Sequence, residues 1–203
     1  MRLVGICGSL RAASCNHGLL RAAGAVLHKK HGIHLEIVPA AMIGALPLFN
    51  EDDEAAGTIN SHVAAFRSKI AGADGFLLAT PEYNSSVPAA LKNAIDWASR
   101  GSNLFNSKAC CIIGAGGYAG TTRAQAHLRD ITTAVNCHTQ THPELRVEIA
   151  KEGAGGARPF DGKTGDVVDA SVLQKIEWQM DGFLQYANMV RLAKLDQVRY
   201  RSG

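Results

Sequence analysis

No C-x-x-C pair occurs in this chain, and its five cysteines (Cys7, Cys15, Cys110, Cys111 and Cys137) are odd in number. Disulfides are therefore not expected. No apolar run reaches the roughly 18 residues of a membrane span. Met1-Arg2 leads straight into a strand, with no signal-type apolar region or cleavage site, so a cytoplasmic protein is expected. Charge of one sign is not in excess either: 21 Lys+Arg against 18 Asp+Glu leave a net +3, and the basic residues form no block. That argues against a nucleic-acid partner. There is no internal repeat and no linker. The 203 residues, 46% hydrophobic, suit one domain spanning 1–203, which buries roughly 70% of its unfolded surface.

Two phosphate-binding signatures are missing from the first loop. No G-x-x-x-x-G-K-S/T run follows the first strand, and no G-x-G-x-x-G does. What stands there is Gly5-Ile6-Cys7-Gly8-Ser9-Leu10-Arg11-Ala12-Ala13-Ser14-Cys15-Asn16. An apolar stretch precedes it, and Leu19, Leu20, Ala23, Val26 and Leu27 follow at the spacing of one helix face. A strand, a small polar loop and a helix N-terminus aim backbone N–H groups at one point, where an anion belongs. Ser9, Ser14 and Asn16 add donors and Arg11 a positive charge. With no Lys and no Mg²⁺ partner, a terminal phosphate monoester such as that of FMN fits better than a triphosphate. Taken alone, the loop is equally an ordinary strand-to-helix turn capped by Ser14 or Asn16. Cys15 lies beside it, where a thiolate can be stabilised, but a loop cysteine is more often incidental, and no function is expected of it. His28, His31 and His34 complement a helix C-terminus rather than mark a metal site, and no metal is expected.

The pattern predicts strands at 2–7, 33–38, 75–79 and 108–114, and a fifth within 137–149. Helices are predicted at about 15–30, 60–71, 121–135 and 169–192, with another carrying Leu91, Ala94, Ile95 and Ala98 inward. Ile59, Val63, Phe66 and Ile70 share a face of the second. Residues 39–57 read as a long connection, 150–168 as a glycine-rich loop and 196–203 as a disordered tail. Apolar strands alternating with helices imply a parallel sheet covered on both sides. The connectivity suits a flavodoxin-like three-layer α/β/α sandwich with five strands in the order 2-1-3-4-5, whose ligands bind beyond the carboxyl ends of strands 1 and 3.

Three unusual loops fall at that edge. After the third strand come Thr80-Pro81-Glu82-Tyr83-Asn84, whose backbone and aromatic surface suit a flat polar ring. After the fourth come Gly114-Ala115-Gly116-Gly117-Tyr118-Ala119-Gly120, so poor in side chains that a ring can approach the backbone. Gly114, Gly116 and Ala119 also satisfy G-x-G-x-x-G/A, but 134–140 offers no acid for a dinucleotide ribose. The three loops together describe a phosphate-tailed planar heterocycle.

At these residues the chain resembles the NADPH-dependent FMN reductase family, with its flavodoxin-like quinone, chromate and azo-dye reductases. The resemblance rests on Gly8-Ser9-Leu10-Arg11 with Ser14 and Asn16, on Leu46-Pro47-Leu48-Phe49-Asn50-Glu51-Asp52, on Thr80-Pro81-Glu82-Tyr83-Asn84, and on 88–97. Phe160-Asp161, Gly165 and Asp169 match more weakly. It implies that Ser9, Arg11, Ser14 and Asn16 hold the FMN phosphate. Pro81, Glu82, Tyr83 and Asn84 would line the ribityl chain and ring, and Gly117 with Gly114 and Gly116 would approach from the other side. NADPH or NADH would pass hydride to the flavin N5 and a quinone, flavin or other small acceptor would then be reduced, with no protein acid, base or nucleophile. The helix with Lys92, Asn93, Asp96 and Trp97 would make a homodimer or homotetramer contact. Alternatively, Trp97 is core and Lys92 with Asp96 an i, i+4 ion pair. The rival activity is an electron carrier or redox sensor without NAD(P)H turnover; such carriers are often acidic, unlike this chain.

Overall fold

The computed structural model describes residues 1–55, 60–117, 119–150 and 158–201, with the backbone alone at 55 and 195–201. Ile59, Tyr118 and the 153–156 glycine run lie outside the described residues. Strand β1 (Leu3–Cys7) leads to helix α1 (Cys15–His31) and strand β2 (Leu35–Ile37). Short helices α2 (Ala40–Gly44) and α3 (Glu51–Ala55) precede α4 (Ser61–Ile70), β3 (Gly75–Ala79) and α5 (Ala89–Ser99). Then come β4 (Ala109–Gly116), α6 (Thr122–Ala134), β5 (His138–Thr139), β6 (Leu145–Glu148) and α7 (Ala170–Arg201).

All strand pairs are parallel, in the order β2-β1-β3-β4-β5, with β6 also on β4. The sheet thus has the flavodoxin-like order, and one expected strand is two. β5 pairs with Ala109 and Cys110 of β4, β6 with 113–116. The intervening stretch holds Pro143, which cannot donate to a ladder.

Side chains alternate between the two faces. Leu3, Cys7, Leu77, Cys111 and Ile113 pack under α1 and α7, around Leu19, Ile176 and Phe183. Val4, Ile6, Phe76, Leu78 and Ile112 pack on the other face with Ile43, Phe66, Leu91 and Leu128. Each fully buried Leu, Ile or Phe contributes about 2 kcal/mol, so both faces are needed to hold the sheet.

The connection at 39–57 is not structureless. Ile43 and Leu46 are buried and draw it onto the sheet. Asn50 accepts from the Asp52 N–H, and Glu51, Asp52, Asp53 and Glu54 sit at the positive end of α3. The segment is then stapled to α5: the Pro47 carbonyl accepts from Asn93 Nδ2 and Trp97 Nε1, both at 2.8 Å. Phe49 meets the Trp97 ring edge-on at 5.0 Å. α7 runs through 196–201, the stretch expected to be a tail, because its sequence after Leu192 contains no Gly or Pro before Ser202.

Ser14 caps α1 and Gly32 ends it at φ +66°. In its last turn, Lys30 Nζ reaches Glu177 and Asp181 of α7, and His31 Nε2 lies 2.8 Å from Asp181. The Lys30 hydrogen bond first, and His31 after it, hold the Asp181 carboxyl below its usual range. A depressed carboxyl stabilises the fold above its unfolded pKa and loses that as pH falls through the folded one. Thermal melts from pH 6 to pH 3 should therefore show a steeper acid loss than in Asp181→Asn, concentrated below about pH 4.

Candidate functional site

The register of the sheet sets the ends of β1 and β3 level with Ile113 of β4, which runs on three more residues to Gly116. Cys7 of β1 pairs with Ala79 of β3, and Ala79 with Ile113 of β4. The ladder continues one step, with Gly8 N–H donating to the Ala79 carbonyl and Thr80 N–H to Ile113. Two rim loops, 8–14 and 80–88, therefore leave from one row, and the glycine-rich stretch expected as a third loop stays in β4 through Gly116 before turning at the same edge. Gly8 has no room for a side chain, since a Cβ would lie 2.7 Å from Pro88 Cγ and 3.2 Å from Pro81 Cδ. The first two loops touch there.

In the first loop, Ser9 and Ser14 are buried, each 2% exposed, while Arg11 is exposed. Ser14 Oγ accepts from Asn16 N, and Ser9 Oγ from Arg11 N. The N–H groups of Leu10, Ala12 and Ala13 find no protein acceptor among the described residues. Unpaired donors at a helix N-terminus beside an exposed Arg are what a phosphate requires. His17, which the sequence did not single out, supports the loop from beneath, with Nε2 3.1 Å from the Ser9 carbonyl. Burial pushes its pKa down, so the neutral ring donates Nε2–H to that carbonyl. Burial pushes the Cys7 thiol up to about 11 and raises Cys15 despite Arg11 nearby. At Cys15 desolvation outweighs the Arg11 charge, in keeping with an incidental cysteine.

Asn16 does a different job from the one expected. Its Nδ2 donates to the Ala115 carbonyl and its Oδ1 accepts from the Ala115 N–H, both at 2.9 Å. This side chain ties the first loop to the end of β4.

The second loop is a tight hairpin. Tyr83 and Ser86 exchange both backbone hydrogen bonds at 3.1 Å, with Asn84 and Ser85 at φ 49° and 62° between them. That is a type I′ turn, which Asn tolerates at its first position. It presents Tyr83, 50% exposed, and Asn84 at the rim. Pro81 is buried behind them. Glu82 points away: its Oε2 accepts from Arg123 N at 2.9 Å and Ala124 N at 3.0 Å, capping α6. α6 has no side-chain cap of its own and no acid in its first turn. That deficit is the one sequence signal that an acid must arrive from elsewhere.

The third loop explains its glycines unequally. At Gly114 a Cβ would lie 1.9 Å from Thr121 Oγ1, and at Gly116 2.2 Å from the Gly120 carbonyl oxygen. The chain's own turn fills both places. Only at Gly117, which is exposed, does a Cβ meet nothing within 4 Å. The dinucleotide alternative loses its anion site here, because the Glu82 carboxylate occupies the α6 N-terminus.

Between the first two loops lies a cleft of about 440 Å³ lined by Gly8, Leu10, Arg11, Tyr83, Pro88, Ala89 and Ala90. A larger hollow of about 610 Å³ lies at the other edge of the sheet, among Met1, His31, Asp181 and Arg191. It has no helix N-terminus and no converging backbone donors, so the rim cleft is the candidate site. Trp97 is 5% exposed and Lys92 pairs with Asp96 at 2.8 Å. The alternative of an internal role for Trp97 therefore describes its side chain.

The family model described as NADPH-dependent FMN reductase matches residues 1–152. A probable NADPH:quinone oxidoreductase of Oryza sativa subsp. japonica is 42% identical over 179 residues, 87% of each chain. An NAD(P)H-dependent FMN reductase of Pseudomonas aeruginosa is 36% identical over 193 residues, 94% of this chain and 97% of its own. Among solved structures, a flavoenzyme NAD(P)H:(acceptor) oxidoreductase from Paracoccus denitrificans superposes with a TM-score of 0.76 at 28% identity. The match covers 93% of this chain and 98% of that one.

Proposed function

The chain belongs to the NADPH-dependent FMN reductase family, and from that premise we propose that the three rim loops hold a single FMN. The protein is an FMN-dependent NAD(P)H oxidoreductase with quinone or flavin acceptors. Bound FMN supplies a two-electron carrier that takes hydride from the nicotinamide and passes electrons to the acceptor. The observation that carries the site assignment is the aligned row Cys7–Ala79–Ile113, from which the first two loops rise side by side while β4 runs on to its own turn at the same edge.

The residues divide the work as follows. Ser9, Ser14 and the free N–H groups of the first loop bind the phosphate, with Arg11 adding charge-assisted hydrogen bonds. Pro81 sets the backbone course of the second loop, while Tyr83 and Asn84 border the ring. Gly117 leaves the opposing backbone open to it. Asn16, Glu82, Gly114 and Gly116 shape the rim without touching the ring: they fix the loops to each other and to α6. No protein acid, base or nucleophile is assigned, because the Cys7 and Cys15 thiols are kept protonated and His17 is committed to Ser9. The carrier alternative finds no support in relatives that are named as reductases.

Both NADPH and NADH are proposed donors. No described helix is long and apolar enough to cross a membrane, and a cytoplasmic location is proposed. A homodimer or homotetramer through α5 is also proposed. Ala89 and Lys92 are exposed on that helix, whereas Trp97 faces inward.

Fluorescence titration tests the phosphate assignment. Ser9→Ala with Arg11→Ala should weaken FMN binding by about tenfold, roughly 1.4 kcal/mol, with riboflavin nearly unaffected. Equal losses for the two ligands would contradict it.

A further inference from the structure

The segment before α7 takes no part in the site as described, yet it lies against the first rim loop. Phe160 and Val167 bridge to one another, and Phe160 is buried in the core beside α1. Between them the chain folds into a closed turn. Asp161 Oδ1 accepts from Lys163 N at 2.8 Å and Thr164 N at 2.7 Å, and Gly165 N–H donates to the Asp161 carbonyl at 2.9 Å. The tip of this turn meets the start of α1 backbone to backbone. A Cβ on Gly18 would lie 1.9 Å from the Gly165 carbonyl oxygen, and a Cβ on Gly165 would lie 2.8 Å from the carbonyl oxygens of Ala13 and Ser14. Gly165 also has φ +72°, so the position requires glycine twice over. Arg21 closes the contact, with Nε 2.6 Å from Asp166 Oδ1 and a second nitrogen 2.9 Å from the Thr164 carbonyl.

We propose that residues 160–169 form a strap that holds the first rim loop in its phosphate-binding shape, with Gly165 as the positioning residue and Arg21–Asp166 as the latch. Ser14 is where the two meet. Its carbonyl starts α1 by accepting from Gly18 N at 3.0 Å, and its hydroxyl caps Asn16. Residues 10–13, which carry the unpaired donors, are exposed except for half-buried Ala13, so their arrangement depends on how firmly Ser14 is held. Ordering such a loop before the ligand arrives raises affinity by removing an entropic cost from binding. The strap acts mainly on the phosphate end, because the second loop, which borders the ring, is fixed separately by Glu82.

The proposal rests on the phosphate assignment above, and titrations of apoprotein with FMN and riboflavin separate the two. Gly165→Ala should weaken FMN about tenfold and riboflavin less than about twofold. It should also speed hydrogen exchange of the amides at 9–14. Arg21→Gln removes the ion pair to Asp166 and the hydrogen bond to the Thr164 carbonyl, both exposed, and such a pair contributes little to global stability. Its melting temperature should stay near that of the parent while FMN affinity falls about threefold. The swapped pair Arg21→Asp with Asp166→Arg restores the ion pair but not the hydrogen bond to the Thr164 carbonyl, so it should recover part of that loss. Unchanged FMN affinity in folded Gly165→Ala overturns the strap, as do equal losses of both ligands. If Gly165→Ala does not fold, unchanged FMN affinity in Arg21→Gln overturns it instead. Equal losses of both ligands in Ser9→Ala/Arg11→Ala remove the phosphate assignment and the strap with it. Failure of the strap alone leaves that double variant still discriminating between FMN and riboflavin.

Discussion

Gly116→Ala should destabilise the protein by about 3 kcal/mol, at the upper end of what overpacking costs, although it adds one methyl group. The new Cβ would stand 2.2 Å from the Gly120 carbonyl oxygen and 2.9 Å from Thr121 Cγ2. The first of these is backbone and cannot rotate aside. Gly120 cannot retreat either, since it sits at φ +63° with its own Cβ position 3.1 to 3.3 Å from Arg146 and Val147. The strain therefore spreads into the β4 rim or unpacks the start of α6. For a chain of this length a loss of that size lowers the melting temperature by roughly 6–12 °C. Gly117→Ala is the internal control: its Cβ meets nothing within 4 Å. It should stay within about 0.5 kcal/mol of the parent. Thermal melts of the two variants side by side decide the matter, and coincident melting temperatures would show that Gly116 is not sterically required.

This pair also marks a limit of the sequence. A glycine-rich loop after an apolar strand was legible, and so was its position at the carboxyl edge of the sheet. Which glycine faces a ligand and which faces the chain's own next turn was not. The missing side chain looks the same in both cases, and the neighbours that use the space, Gly120 and Thr121, belong to the turn before α6. The strand order was legible because the apolar segments around Val4, Leu77 and Ile112 are buried on both faces and must be central. The division of the fifth strand was not, because two- and four-residue strands carry too few alternations to register. Glu82 read as a ring contact because Thr80 to Asn84 form one motif. Its carboxylate instead answers an uncapped helix forty residues away. Contacts of that kind are set by tertiary geometry and leave no local pattern.

Asn16 shows the same thing with a larger consequence. β3 ends at Ala79, and Thr80 makes the last bond to β4 through the Ile113 carbonyl. Two residues on, the N–H and C=O of Ala115 face the side that β3 has left, and Ala115 is 1% exposed. The Asn16 carboxamide takes the place of the absent peptide group, donating and accepting at 2.9 Å. Asn16→Leu keeps the branched four-atom shape and leaves both Ala115 groups buried without partners. At about 1–3 kcal/mol for each such group, the loss should be about 3 kcal/mol or more, read as a shift in the denaturation midpoint with unchanged slope. Binding should respond differently from Ser9→Ala/Arg11→Ala. Because Asn16 couples the phosphate loop to the ring loop, FMN and riboflavin should weaken together. Asn16→Asp supplies the diagnostic pH dependence. Its carboxylate can accept from Ala115 N–H but repels the Ala115 carbonyl, and only the protonated acid can donate there. The folded protein therefore raises the pKa of this aspartate, and the stability deficit against the parent should shrink as pH falls. A deficit that stays constant across the acid range would mean that the Ala115 carbonyl does not depend on Asn16 for its hydrogen bond.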